Sequence, residues 1–124
     1  MDFTSDCLAA LKDGKRMTIE HCVAQDLQVR YPSLSSNQAR FFALLDRVPQ
    51  YLRYWDIDYA EYDVAAVEML MEGGKHSQLV MMAFLLGVWR GDNSFQFDLL
   101  DAVDWLDEAE RSVIVDWLRD PFWP

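Results

Sequence analysis

"HSQLVMMAFLLGVWR", residues 76–90, decides the fold class. Its apolar run from Leu79 to Trp89 has eleven residues, about half of the roughly 20 that a membrane-spanning helix needs. The run is bounded by Gly73-Gly74 on one side and Gly91 on the other, where left-handed caps would stop helices. The apolar residues cover nearly the whole circumference of such a helix, so it must lie among amphipathic neighbours rather than outside them.

Those neighbours are legible from caps and breakers. Ser35 with Gln38, Asp58 with Glu61, and Asp107 with Glu110 have the spacing of capping boxes. Gly14 adds a further stop, and Pro32, Pro49 and Pro121 mark breaks or first turns. The pattern predicts helices over 4–12, 18–30, 36–47, 49–55, 59–72, 76–90, 98–106 and 108–119. Residues 17–31 are ambiguous: Ile19, Cys22, Val23 and Leu27 fit a helical face, whereas Leu27, Val29 and Tyr31 alternate as in a strand. The expectation is an all-α fold, one compact domain spanning 1–124. In it about six to eight helices pack around the central apolar helix 76–90, and a helical hairpin closes the C-terminus.

Composition agrees with one globular domain. The chain has 124 residues, is 52% hydrophobic and 26% charged, and holds no internal repeat or long Pro/Gly/Ser linker. At this size it can bury roughly two thirds of its unfolded surface without metal or disulfide help. Cys7 and Cys22 are the only cysteines, and the N-terminal stretch lacks the basic start and apolar run of a secretory leader. A reduced thiol pair in a cytoplasmic protein is expected.

Net charge is −10, unevenly placed: residues 1–62 carry nine acids and seven bases, residues 63–124 twelve acids and four bases. A field of that sign opposes approach to phosphate backbones and anionic lipid, and speeds encounter with basic proteins. The acids are densest in "FDLLDAVDWLDEAERSVIVDWLRDPFWP", residues 97–124, eight against two bases, with three tryptophans among them. On a helical wheel Leu99, Ala102, Val103 and Leu106 gather on one side, with Asp101, Asp104 and Glu108 nearly opposite. In the following helix Val113, Ile114, Trp117 and Leu118 form the apolar face. Trp105 falls at the boundary between apolar and acidic sides, where an amphipathic anchor sits. Asp98, Asp107, Glu108 and Glu110 have local roles as caps or first-turn anions, which leaves Asp101, Asp104, Asp116 and Asp120 without one. Two readings follow, a solvated outer face or a surface for a basic partner, and the second names Asp101, Asp104, Trp105, Glu108, Phe122 and Trp123. The tail "DPFWP" either folds back onto the core or docks on another chain.

Chemical motifs fail one by one. "GGKHS" at 73–77 lacks the earlier glycine of a phosphate loop, Met69 standing there, and puts His76 where Ser or Thr would bind magnesium. "DIDYAEYD" at 56–63 alternates acids like a calcium loop, but Glu61 replaces the turn glycine and Val67 the twelfth ligand. His21 adjoins Cys22, yet neighbours on a helix point about 100° apart, and no CxxC or HxxxH seeds a metal site. The aromatic-rich "YLRYWDIDYAEY" at 51–62 carries only Arg53 as a base, so it reads as a cap on the core rather than a nucleic-acid stacking surface. Arg30, Arg40, Arg47 and Arg53 give a modest basic edge, too small for DNA against the total charge.

The expected function is therefore a noncatalytic protein-binding or regulatory domain, without cofactor or metal. By size and charge alone it resembles inhibitors, immunity proteins and antitoxins. A structural helical subunit or homo-oligomer is the alternative, and a DNA-binding regulator a weaker one. The expected partner is another protein, basic in character, or a second copy, with no membrane.

Overall fold

The structure, a computed structural model, describes residues 19–124. The expected helix at 4–12, the stop at Gly14 and Cys7 lie outside them. Among the described residues 69% are helical, in seven helices, with one two-stranded ladder. No helix there is long and apolar enough to cross a membrane.

The first described helix, α1 (Ile19–Arg30), resolves the ambiguity in favour of helix over the described part of that stretch. Its buried Asp26 is ion-paired with Arg30 one turn on. Cys22 is held in a disulfide, which corrects the expectation of free thiols and removes the thiol argument for a cytoplasmic address. Pro32 ends the helix, and Ser35 opens α2 (Ser36–Asp46) through the expected capping box. The Ser35 hydroxyl accepts from Gln38 N at 3.0 Å and the Gln38 side chain accepts from Ser35 N at 2.8 Å. The Phe41-Phe42-Ala43-Leu44-Leu45 run of α2 is buried, and α1 packs along it.

Pro49 starts a short 3-10 helix, Pro49–Tyr54, where its missing N–H costs nothing. Beyond it the structure departs from expectation. Residues 59–63 are not helical: Trp55–Asp56 pairs antiparallel with Glu61–Tyr62, and Asp56 Oδ1 accepts from Asp58 N at 2.9 Å, which closes the turn. The cap is therefore Asp63 rather than Asp58, its side chain accepting from Ala66 N at 3.1 Å, and α3 spans Val64–Gly73. An aspartate two residues before an amide competes with the helical cap by making its own turn. Gly74 follows with φ −78°, not left-handed as expected. Glycine is needed there because a Cβ would stand 2.6 Å from both the Leu70 carbonyl oxygen and its side chain.

The segment quoted at the outset forms α4 (His76–Arg90), ended by Gly91 in the left-handed region at φ 73°. Residues 80–86 are all buried, seven in succession, leaving no side of the helix wet over two turns. Against it lies Phe41, whose ring is 5.1 Å from Trp55 and 4.9 Å from Trp89 of α4, and Phe84 of α4 itself meets Trp117 at 5.7 Å. Tyr51, Tyr54 and Trp55 of the aromatic-rich stretch are buried in the same core. The chain then forms α5 (Leu99–Trp105), capped by Asp98, and α6 (Glu108–Arg119), capped by Asp107 with Glu110 completing the box.

Candidate partner-binding surface

The orientation of α5 shapes this surface, and it differs from the expected one. Ala102 and Leu106 are buried, but Leu99 and Val103, expected inward with them, are more than half exposed. Leu100 is 78% exposed. His76, at the start of α4, meets Asp101 Oδ2 at 2.8 Å and stacks edge-on against Trp105 at 4.8 Å between centroids. In this orientation the Asp101 and Trp105 side of α5 faces the start of α4, Ala102 is buried, and Leu99 and Val103 face outward.

The acids without a local role acquire one in most cases. Asp101 is tied to His76. Asp116 meets Arg47 at 2.9 Å, and Arg47 also binds Glu20 at 3.0 Å and Ser112 at 2.8 Å, so one guanidinium joins α1, α2 and α6. Asp120 binds Arg40 at 3.0 Å and lies 3.9 Å from His21. Among the described residues, none pairs with the side chain of Asp104 or Glu108, and both are exposed. Glu108 sits in the first turn of α6, where the helix dipole favours it.

The tail folds back. Phe122 is 4% exposed and lies beneath the Arg40 guanidinium at 4.1 Å, so this ring, expected on the partner-facing side, belongs to the core. Its carbonyl accepts from Trp117 Nε1 at 2.9 Å. Trp123 stays half exposed, edge-on to Trp117 at 5.6 Å. Asn37 donates to its carbonyl at 3.2 Å, anchoring the tail to α2. The expected six residues therefore fall in three places: Asp101 with Trp105 against His76, Asp104 and Glu108 in solvent, and the tail pair split between core and surface.

Between α4, the 91–98 loop and α6 runs an apolar groove of about 380 Å³, lined by Phe84, Phe97, Leu99, Trp117, Leu118 and Trp123 among others. Leu99, Leu118 and Trp123 are each more than half exposed on its flanks. The sequence held a sign of this in Leu99-Leu100 and Val103, more apolar surface than the single small contact at Ala102 covers. Asp92 is the one acid on its lining, and it is ion-paired with Arg90 at 3.5 Å.

Under α6 lies one buried carboxyl. Glu110 accepts from Tyr51 Oη at 3.0 Å and from Asp107 N at 3.3 Å. Burial pushes the Glu110 carboxyl above its ordinary value, and burial together with the carboxylate raises the Tyr51 phenol. Among the described residues, no group of three or more His, Cys, Asp or Glu side chains is placed to hold a metal ion. Compared with known proteins, the chain matches no family model, no curated protein and no solved structure.

Proposed function

We propose that the protein is a noncatalytic protein-binding domain, a single helical bundle gathered round α4, that meets a basic partner through its C-terminal pair of helices. The observation that carries the reading is the coincidence on α5 and α6 of exposed apolar side chains, Leu99, Leu100, Val103 and Leu118, with the unpaired acids Asp104 and Glu108. A solvated face needs the acids but not the leucines. Trp105, 54% exposed and already held by His76, presents a large ring at small entropic cost, as binding anchors do. Three of the four arginines of the basic edge support the same reading against DNA: Arg40 and Arg47 are committed to Asp120, Glu20 and Asp116, and Arg30 to Asp26, while Arg53 lies over the Tyr54 ring.

The test compares two baits in affinity purification, the wild-type chain and an Asp104→Asn, Glu108→Gln, Leu100→Ser variant. The reading expects a basic protein retained by the first and lost from the second. Equal retention by both would move the binding surface elsewhere or remove it.

A further inference from the structure

We propose that α5 is a strap, pinned at both ends and latched in its middle by His76, that lifts from α4 while the rest of the fold stays closed. α5 carries the face read above as partner-binding, but the inference does not depend on that reading and is tested on the chain alone. Both pins are apolar. Before α5 the Phe97 ring meets Phe84 of α4 at 5.4 Å between centroids, and directly after it Leu106 is buried. Between them the strap is thinly held. Of its seven residues only Ala102 is buried, one methyl group, while Leu99, Leu100, Val103 and Trp105 are each more than half exposed. α4 by contrast buries residues 80–86 without a break. Asp98 Oδ1 accepts from Leu100 N at 2.9 Å and from Asp101 N at 3.0 Å, contacts that keep the strap helical and do not tie it down. Among the described residues, the side-chain hydrogen bonds and ion pairs that do tie it to another element come from His76 alone, whose Nε2 lies 2.8 Å from Asp101 Oδ2. The same ring meets Trp105 edge-on at 4.8 Å, so one imidazole holds two successive turns. His76 and Asp101 are both partly open to water, where such a pair is weak enough to release. Segments with few buried apolar contacts open first. Once lifted, a helix of seven residues is too short to persist, about 12 being the lower limit in water.

Amide hydrogen exchange, read residue by residue by NMR on the full chain at one fixed pH, tests the strap, since where reclosing outpaces exchange each rate reports an opening equilibrium. The amides of 102–106 bond within the strap, Ala102 N to Asp98 O and Leu106 N to Ala102 O each at 3.0 Å. Their opening equilibrium is expected to be about tenfold or more above that of 80–86 in α4. Val48→Ala, a cavity at a 1% exposed position between α2 and the 3-10 helix, should speed exchange in 80–86 about fivefold or more and leave 102–106 unchanged. His76→Ala should speed 102–106 about fivefold or more. His76→Gln, which keeps a donor for Asp101, and His76→Phe, which keeps a ring for Trp105, should each restore part of the protection. Protection in 102–106 equal to that in 80–86 in the wild type would overturn the proposal whether or not the variants fold, because α5 would then open only with the whole molecule. A Val48→Ala effect shared equally by both segments would overturn it for the same reason. An unchanged rate in 102–106 with His76→Ala would remove the latch and equally overturn it.

Discussion

Leu85→Ala and Leu100→Ala make one experiment. The two side chains are the same, and their surroundings are opposite: Leu85 is 0% exposed and Leu100 is 78% exposed. Around Leu85 the neighbours Met81, Met82 and Leu86 are also fully buried, so truncation leaves a cavity that solvent cannot reach. The cost is about 2 to 5 kcal/mol, the transfer free energy of the lost atoms plus the cavity. Leu100 loses little on folding, and its truncation should stay within about 0.5 kcal/mol. In urea, with a slope of about 1 to 3 kcal/mol per molar, the first change lowers the unfolding midpoint by about 1 M or more, and the second leaves it in place. Circular dichroism and tryptophan fluorescence should report the same midpoints if unfolding is two-state. A midpoint unmoved by Leu85→Ala would show that α4 is not the core. One lowered equally by Leu100→Ala would show that the α5 surface is packed in solution and not free for a partner.

Other expectations follow from single contacts. Removing residues 121–124 takes Phe122 from the core and should destabilise the fold by about 3 to 5 kcal/mol, read by the same urea titration. Glu110 gives a pH signature. Because burial raises its pKa in the folded state, the unfolded chain ionises first, so its contribution falls as pH climbs from the ordinary value of 4.5 through the raised one. Glu110→Gln should remove that fall, so the difference in melting midpoint between variant and wild type should grow with pH above 4.5 and then level off. A difference constant with pH would place the carboxyl's titration elsewhere. Trp105→Ala should leave association with the proposed basic partner nearly unchanged and speed dissociation, measured by biolayer interferometry, as loss of a desolvated anchor does.

The helical class and most element boundaries were legible because their signals are local. A capping box at Ser35 or Asp107, a proline at 49 and a left-handed stop at Gly91 act within one turn, and each is found where the spacing put it. The stretch at 58–63 misled for the same local reason, since Asp56, Asp58 and Asp63 offer three competing turn or cap sites and sequence alone does not rank them. The face of α5 was not legible. Its wheel allows two inward directions, and the one adopted puts Asp101 and Trp105 against His76, 25 residues from Asp101 in the chain, a contact that no local signal announces. The burial of Phe122 likewise depends on Arg40, far earlier in the chain. What the sequence could show of the surface was its charge. Which of the C-terminal acids are left unpaired, Asp104 and Glu108, followed only from where His76, Arg40 and Arg47 reach.

Association kinetics decide whether this acidic, leucine-bearing face meets a basic protein. The rate for the partner recovered by affinity purification is measured with wild type and with Asp104→Asn, Glu108→Gln at about 0.1 and about 1 M salt, between which the Debye length falls from about 10 to about 3 Å. Both positions are exposed and unpaired among the described residues, so the variant should fold as well as wild type. A slower association rate at low salt and a flatter salt dependence are expected for the variant, with the two proteins converging at high salt. Identical rates and identical salt dependence would contradict it, and the acids would then serve only to keep the face wet.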